Sequence, residues 1–334
     1  MTNPLGISSS PVDAVIVAGP TASGKTDLVD AVFGEGSSVW LPRLRDAWRA
    51  DIESANIISA DSMQAYRGMD IGTAKPSPDL VARLPHHLID IKDPREQYTA
   101  GEFVTRADQL RAALGARGIL PIICGGTGFY LKNFICGLPS APPSSPEIRA
   151  EVAADLERLG ALALRGELEA ADPPSAARIH ERDIYRLTRA VEILRASGAP
   201  PSRFAPKNEA RAGLRAVVLG VGRDREVLRG RIRARVDAMI AAGLETEVRG
   251  LIAGGCGPDD PGMQAIGYRE FFEFDGRPLP EIADAIALHT AQYAKRQMTF
   301  FRALPGIVWI EPTPEALIEA LTRLLSPAAP LDFA

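Results

Sequence analysis

The sequence predicts an α/β protein: a mainly parallel sheet flanked by helices, with a helical domain inserted into it. Three observations lead there. Short apolar runs rich in Val and Ile recur at residues 13–18 (DAVIVA), 56–59, 119–124, 215–219 and 307–310, each of strand length. Helical patterns separate them, the alternation that parallel strands need for their crossovers. Between the third and fourth runs the pattern changes. Residues 139–146 (PSAPPSSP) read as a linker, helical patterns cover 147–159 and 175–197, and a second breaker-rich stretch spans 198–206. The core is therefore expected at 11–140 and 213–325, and the helical insertion at 141–212.

Within the first half, residues 34–54 lengthen the link between the first helix and the second strand and hold Trp40, Pro42 and Trp48. Residues 42–54 predict a short amphipathic helix. The adjacent His86 and His87 point different ways on a strand or a helix, which favours a structural role over metal binding. Phe271 and Phe272 are expected in the core rather than as a base-stacking platform.

Bulk properties narrow the function classes. A chain of 334 residues suggests about two domains, and 46% hydrophobic against 24% charged residues is enough apolar material for a real core. Apolar runs such as 119–124 and 216–221 are far short of a membrane span. Residues 1–12 lack the basic start and apolar stretch of a signal peptide. Cys124, Cys136 and Cys256 form no C-x-x-C arrangement, so neither a disulfide framework nor a zinc site is indicated. The cytoplasm is the expected location. Net charge is −4, against indiscriminate nucleic-acid binding. Yet residues 178–235 hold fifteen Lys and Arg against six Asp and Glu, a local +9 that leaves −13 elsewhere. Such a segment fits a face that meets phosphates, and it also fits a solvated helical surface.

The first strand runs directly into Gly19-Pro20-Thr21-Ala22-Ser23-Gly24-Lys25-Thr26, which fits G-x-x-x-x-G-K-[ST] with a helical pattern behind it. The expected core is thus P-loop NTPase-like and nucleotide-binding in form. Glycines let the backbone wrap closely, so several N–H groups converge on phosphate oxygens at the helix N-terminus. Lys25 adds a compact positive charge, and the Thr26 hydroxyl can hold Mg²⁺. The loop does not reveal who owns the phosphates. A nucleoside triphosphate such as ATP, the substrate pair of a small-molecule kinase and a prenyl diphosphate would all fit.

After the second strand comes Ile58-Ser-Ala-Asp61-Ser-Met-Gln64-Ala-Tyr-Arg-Gly-Met-Asp70-Ile-Gly-Thr-Ala-Lys75-Pro. With Pro85-His-His-Leu-Ile-Asp-Ile, Gly125-Gly-Thr-Gly-Phe-Tyr130, Asp183-Ile-Tyr-Arg-Leu-Thr-Arg-Ala-Val-Glu192, Met263-Gln-Ala-Ile-Gly-Tyr-Arg269 and Tyr293-Ala-Lys-Arg-Gln-Met-Thr-Phe-Phe-Arg302, this segment resembles the tRNA dimethylallyltransferases, also called tRNA isopentenyltransferases. The resemblance covers about residues 13–312, in order.

The resemblance implies a dimethylallyl group transferred from dimethylallyl diphosphate to the N6 amine of adenosine 37, in tRNAs reading codons that start with U. The cradle then holds a diphosphate, with Mg²⁺ on Thr26. Asp61 is implied as the base that takes the amine proton, Arg235 as a stabiliser of the leaving diphosphate and Thr21 as a neighbour of the reacting centre. A positioned base typically contributes about 10²–10⁴-fold. The anticodon stem-loop is the implied RNA partner, and its adenine must be flipped out of the stack to be reached. Implied RNA contacts are Asp61, Ser62, Met63 and Gln64, then Thr127 and Arg149, then Tyr185, Arg186 and Arg189 in the helical insertion. Further contacts implied are Gln264, Gly267, Tyr268 and Arg269, and Lys295, Arg296, Gln297 and Arg302. Among these, Gln64, Thr127 and Gln264 have the chemistry to read base edges, while the cations suit phosphates. A monomer and no membrane association are expected.

The chain departs from the family pattern in its longer 34–54 stretch, in Tyr185 and in Phe300 where Trp is common, and no C-terminal zinc finger like that of eukaryotic members is expected. Rival readings are an adenylate isopentenyltransferase acting on free nucleotide, a P-loop small-molecule kinase, and an RNA-binding module with a vestigial cradle.

Overall fold

The computed structural model describes residues 12–48, 51–142, 144–205 and 208–324. Parts of several expectations lie outside the described residues: 1–11, read for a leader and containing the expected start of the core; 49–50 in the expected helix; Pro143 of the linker; Pro206; and 325, the expected end of the core.

Strands β1 (Ala14–Ala18), β2 (Ser54–Ser59), β3 (His86–His87), β4 (Ile119–Gly125), β5 (Ala216–Val221) and β6 (Ile307–Ile310) form a six-stranded sheet in the order β3-β2-β4-β1-β5-β6. Every pairing is parallel. The central strand β1 is buried throughout and pairs through Val17 with Cys124 of β4 and with Leu219 of β5. A strand covered on both faces has no solvent side, which is why it reads as an unbroken apolar run. The chain leaves β1 toward β2 and leaves β4 toward β5, in opposite senses, and open α/β sheets place a crevice at the carboxyl ends of such neighbours.

Sequence reading missed β3, which is only His86–His87. His87 Nε2 lies 3.0 Å from Asn56 Nδ2 and His86 Nδ1 lies 2.7 Å from the Leu84 carbonyl. Burial lowers the pKa of both imidazoles.

In chain order the helices are α1 (Lys25–Phe33), α2 (Ser37–Trp48), α3 (Pro78–Arg83), α4 (Ala100–Gly115), α5 (Gly128–Cys136), then α6 (Pro146–Leu159), α7 (Ala161–Ala171), α8 (Pro173–Arg178) and α9 (Ile184–Ser197). The remainder are α10 (Arg225–Ala241), α11 (Leu244–Ala253), α12 (Glu270–Glu273), α13 (Leu279–Phe301) and α14 (Pro314–Leu324). The helix expected at 42–54 starts earlier, at Ser37, with the N–H groups of Val39 and Trp40 bonded to the Gly36 carbonyl. Pro42 therefore falls inside it, while Leu41 and Leu44 join the core that also holds Val15, Val17, Leu28 and Leu219. The pattern expected as one helix over 175–197 is two, because the Asp183 carboxylate caps a new start at the Arg186 N–H, 3.1 Å away.

The chain divides into a unit of residues 1–135 with 209–334 and a second unit of 136–208, against the insertion expected at 141–212. Residues 209–212 go with the first unit for a local reason. The Arg211 N–H donates to the Ile135 carbonyl at 2.8 Å, and its guanidinium binds Asp108 and lies 4.8 Å over the Phe134 ring. The second unit has its own core, including Val152, Leu164, Leu168, Leu187 and Val191. Arg195 ties three of its acidic side chains together, Glu151, Asp155 and Glu167. Among the described residues no helix is long and apolar enough to cross a membrane.

Candidate active site

The cradle begins where β1 ends. Gly24 takes φ 88° immediately before α1, a left-handed turn that glycine adopts without penalty. Ala22 is also left-handed, at φ 61°. A non-glycine residue persists there only when its surroundings hold it. Three arginines do so. Arg223 Nε donates to the Ser23 carbonyl at 2.7 Å, Arg231 Nε to the Ala22 carbonyl at 2.8 Å, and Arg235 Nη1 lies 3.4 Å from the Thr21 hydroxyl. The Ser23 hydroxyl is buried and has no partner among the described residues.

Opposing charges meet around this loop. Lys25 Nζ reaches the Pro20 carbonyl at 3.4 Å. Burial pulls its pKa below the ordinary 10.5, and attraction to Cys124 and Asp61 opposes that shift. Arg235 is likewise lowered, mainly by burial, with Asp27 and Asp61 acting the other way. Asp61 is thus within electrostatic reach of both cations.

Asp61 follows the carboxyl end of β2. Its Oδ1 accepts from the N–H groups of Met63 at 3.0 Å and Gln64 at 3.3 Å, which caps the turn. No hydrogen bond to Oδ2 occurs among the described residues. A carboxylate so fixed keeps one oxygen available to a ligand.

These groups line one cavity of about 440 Å³ that lies within the first unit. That volume is in the range of small-molecule sites. Its walls include Thr21, Lys25, Thr26, Asp61 and Arg235, the segments 72–74 and 264–267, and Tyr293, Arg296 and Gln297 of α13. The donor set suits a hard cation: the Thr26 hydroxyl and the Asp61 carboxylate offer oxygen. The one thiol there, Cys124, is pushed up to about 11 by burial, with Lys25 and Thr26 acting the other way, so it stays protonated at neutral pH.

The family model described as IPP transferase matches residues 64–304. The chain belongs to the IPP transferase family. It is 41% identical over 307 residues to the tRNA dimethylallyltransferase of Geobacter sulfurreducens, covering 91% of this chain and 93% of that one. Among solved structures it is similar to the tRNA isopentenylpyrophosphate transferase of Bacillus halodurans, with TM-score 0.63 and 34% identity over 93% of this chain and 95% of the other. A eukaryotic dimethylallyltransferase acting on tRNA aligns with TM-score 0.72 and 25% identity, covering 90% of this chain and 74% of its own.

In this IPP transferase the residues expected at the reacting centre, Thr21, Asp61 and Arg235, share the cavity. Of the cradle, Thr21, Ala22, Gly24, Lys25 and Thr26 line it, while Gly19, Pro20 and Ser23 do not. Of the residues expected to meet RNA, Ser62, Met63, Gln64, Gln264, Gly267, Arg269, Arg296 and Gln297 also line it.

Several of these side chains are already engaged inside the protein. Gln64 Nε2 donates to the carbonyls of Thr73 and Ala74 at 3.3 and 3.2 Å, and its Oε1 accepts from Ser59 at 3.1 Å. Both amide hydrogens are used, so Gln64 braces the wall that it lines. Thr127 accepts from the Ser62 N–H at 2.9 Å and is not a lining residue. The Gln264 amide donates to the Pro258 carbonyl. Tyr268, expected on the RNA face, is 0% exposed and belongs to the core. Buried polar groups must find partners, and the Tyr268 hydroxyl finds its own in Glu247 at 2.6 Å.

Lys295 on α13 and Arg302 just after it are exposed outside the cavity. In the helical unit Arg149 is exposed and Tyr185 is 80% exposed. Arg186 pairs with Asp183, and Arg189 with Glu192 and Ser144. Sequence reading missed Arg223 and Arg231 as braces of the cradle. Their placement just after β5, the neighbour of β1, was the available signal. It also passed over Tyr293, a lining residue whose hydroxyl burial pushes up to about 12.

Proposed function

We propose that this protein transfers the dimethylallyl group of dimethylallyl diphosphate to the N6 amine of adenosine 37 in tRNAs reading codons that start with U. The products are N6-isopentenyladenosine and diphosphate. The observation that supports this most is a single cavity in which the Asp61 carboxylate and the cations of the P-loop meet. A kinase cradle alone needs no carboxylate poised for an amine. A prenyl transfer to nitrogen does.

The adenine leaves its stack and enters the cavity. Its N6 lone pair attacks the allylic carbon, the C–O bond breaks, and the electron pair goes to the diphosphate oxygen. The N6 proton passes to Asp61 Oδ2, since Oδ1 is held by Met63 and Gln64. The charge that grows on the diphosphate is met by the loop amides, Lys25 and Arg235. Thr26 would hold Mg²⁺, which when bound supplies further positive charge to the diphosphate. Arg149, Tyr185, Arg186 and Arg189 of the helical unit would contact the RNA, as would Lys295 of α13 and Arg302 just after it, a reading supported by the exposure of Arg149, Tyr185, Arg186, Lys295 and Arg302. Because one chain supplies the complete cavity, a monomer suffices, and the cytoplasm is where its RNA would be met.

The test is incubation with labelled dimethylallyl diphosphate and magnesium, with tRNA in one arm, AMP in a second and ATP alone in a third. Label in tRNA that digests to N6-isopentenyladenosine is the expected result. Label in AMP instead, or ATP turnover without RNA, would replace this reading with a free-nucleotide transferase or a kinase.

A further inference from the structure

Glu247 lies on α11, outside the lining of the cavity, and its carboxylate is saturated. Oε2 accepts from the backbone N–H groups of Asp70 at 2.9 Å and Ile71 at 2.8 Å. Oε1 accepts from the Gly72 N–H at 3.2 Å and from the Tyr268 hydroxyl at 2.6 Å. A carboxylate has about four lone-pair sites, so nothing is left for solvent or ligand. Hydrogen bonds to an ionised acceptor are roughly twice as strong as neutral ones. This is far more than a surface glutamate needs.

What it holds is the cavity wall. Gly72, Thr73 and Ala74 line the cavity, and so do Gln264, Ala265, Ile266 and Gly267, the residues that lead into Tyr268. One carboxylate therefore ties together two wall segments with no helix or strand of their own. The fit is close: a Cβ on Gly72 would come 2.4 Å from the Tyr268 ring, so only glycine is accommodated. At the other end Lys75 Nζ, itself buried, bonds to the Tyr66 carbonyl and to Asp70 and Asp90. Ala74 is left-handed at φ 51°, a conformation that survives only if its neighbours impose it.

The wall leads to the reacting carboxylate. The carbonyls of Thr73 and Ala74 take the Gln64 amide, and the Gln64 N–H is bonded to Asp61 Oδ1. The diphosphate end of the cavity is braced separately, by arginines on the loop 21–23. We propose that Glu247, with Tyr268, is a positioning residue that pre-shapes the wall seating the acceptor base and aligns it on Asp61, without touching either substrate. The acceptor half of this rests on the proposed transfer to adenine.

Glu247→Gln keeps the size but turns an NH₂ donor toward groups that are themselves donors. The expected result is a loss of at least about tenfold in kcat/KM for a tRNA anticodon stem-loop. The KM for dimethylallyl diphosphate should stay within about twofold, because the P-loop braces are untouched. Tyr268→Phe, which removes one of the four bonds, should give a smaller effect of the same kind, and it carries the test if Glu247→Gln does not fold. In parallel, hydrogen exchange at the amides of residues 70–72 should quicken in Glu247→Gln. Unchanged exchange there, an unchanged RNA-side constant, or equal losses toward both substrates would overturn the proposal. A wild-type protein that transfers nothing, combined with faster exchange in the variant, would instead remove the assigned reaction and leave the clamp standing.

Discussion

Gln297 and Thr21 are joined across the cavity floor: the Thr21 N–H donates to Gln297 Oε1 at 2.9 Å, while Gln297 Nε2 donates to the Gly126 carbonyl at 2.7 Å. A side chain from α13 thereby fixes the cradle against the loop after β4. Gln297 is 5% exposed, so both ends of its amide are committed. The residue expected as an RNA contact is a crossbeam of the cavity.

Gln297→Leu should accordingly act on the diphosphate end. It leaves the Thr21 N–H and the Gly126 carbonyl unpaired in a buried site, at a cost of about 1–3 kcal/mol each. A lowered thermal midpoint and a raised KM for dimethylallyl diphosphate are expected from calorimetry and steady-state kinetics. An unchanged midpoint would mean that the pair is not stabilising.

Asp61→Asn separates two roles held by one side chain. The amide oxygen can still accept from Met63 and Gln64, so the turn should survive, while the proton acceptor is gone. Turnover should fall about 10²–10⁴-fold with tRNA affinity nearly unchanged, measured by single-turnover kinetics and filter binding. Equal loss of both would reassign Asp61 to a structural part.

Lys25→Met should raise the stability of the ligand-free protein while abolishing transfer. In the folded chain Lys25 titrates below the ordinary 10.5 because of burial. Between its folded value and 10.5 the unfolded chain binds more protons, so stability rises with pH across that window. Charged Lys25 at neutral pH therefore opposes folding in the absence of an anion. Denaturant titrations at several pH values should show the wild type gaining on the variant as pH increases; a constant difference would argue against it.

His86 and His87 give a second pH test at the other end of the scale. Burial lowers both from 6.5, so the unfolded chain takes up protons first as pH falls. Stability should decline below about pH 6.5 and continue to do so until the folded-state values are passed. His87→Gln, which can still face Asn56, should blunt that decline. Urea midpoints between neutral and mildly acidic pH would show it.

The parallel core was legible in the sequence because strands buried on both faces must be apolar along their whole length, as β1, β4 and β5 are. The two-residue β3 carries no such signal, since its place depends on the edge of β2 beside it. The start of α2 was misplaced for a similar reason, because Leu41 and Leu44 face a core assembled from distant residues.

The sequence by itself determined the G-x-x-x-x-G-K-T loop after the first strand, the carboxylate at the end of the second strand and the family, because the first two lie in short contiguous runs and the motifs that carry the third keep their order along the chain. Only the tertiary structure decided which polar side chains remain available. Gln64, Gln297, Tyr268 and Glu247 look alike as polar letters, and each is consumed by backbone groups or side chains many residues away. The physical reason is that a buried donor or acceptor must be paired, and the partner that pairs it is chosen by the fold rather than by its neighbours in the chain.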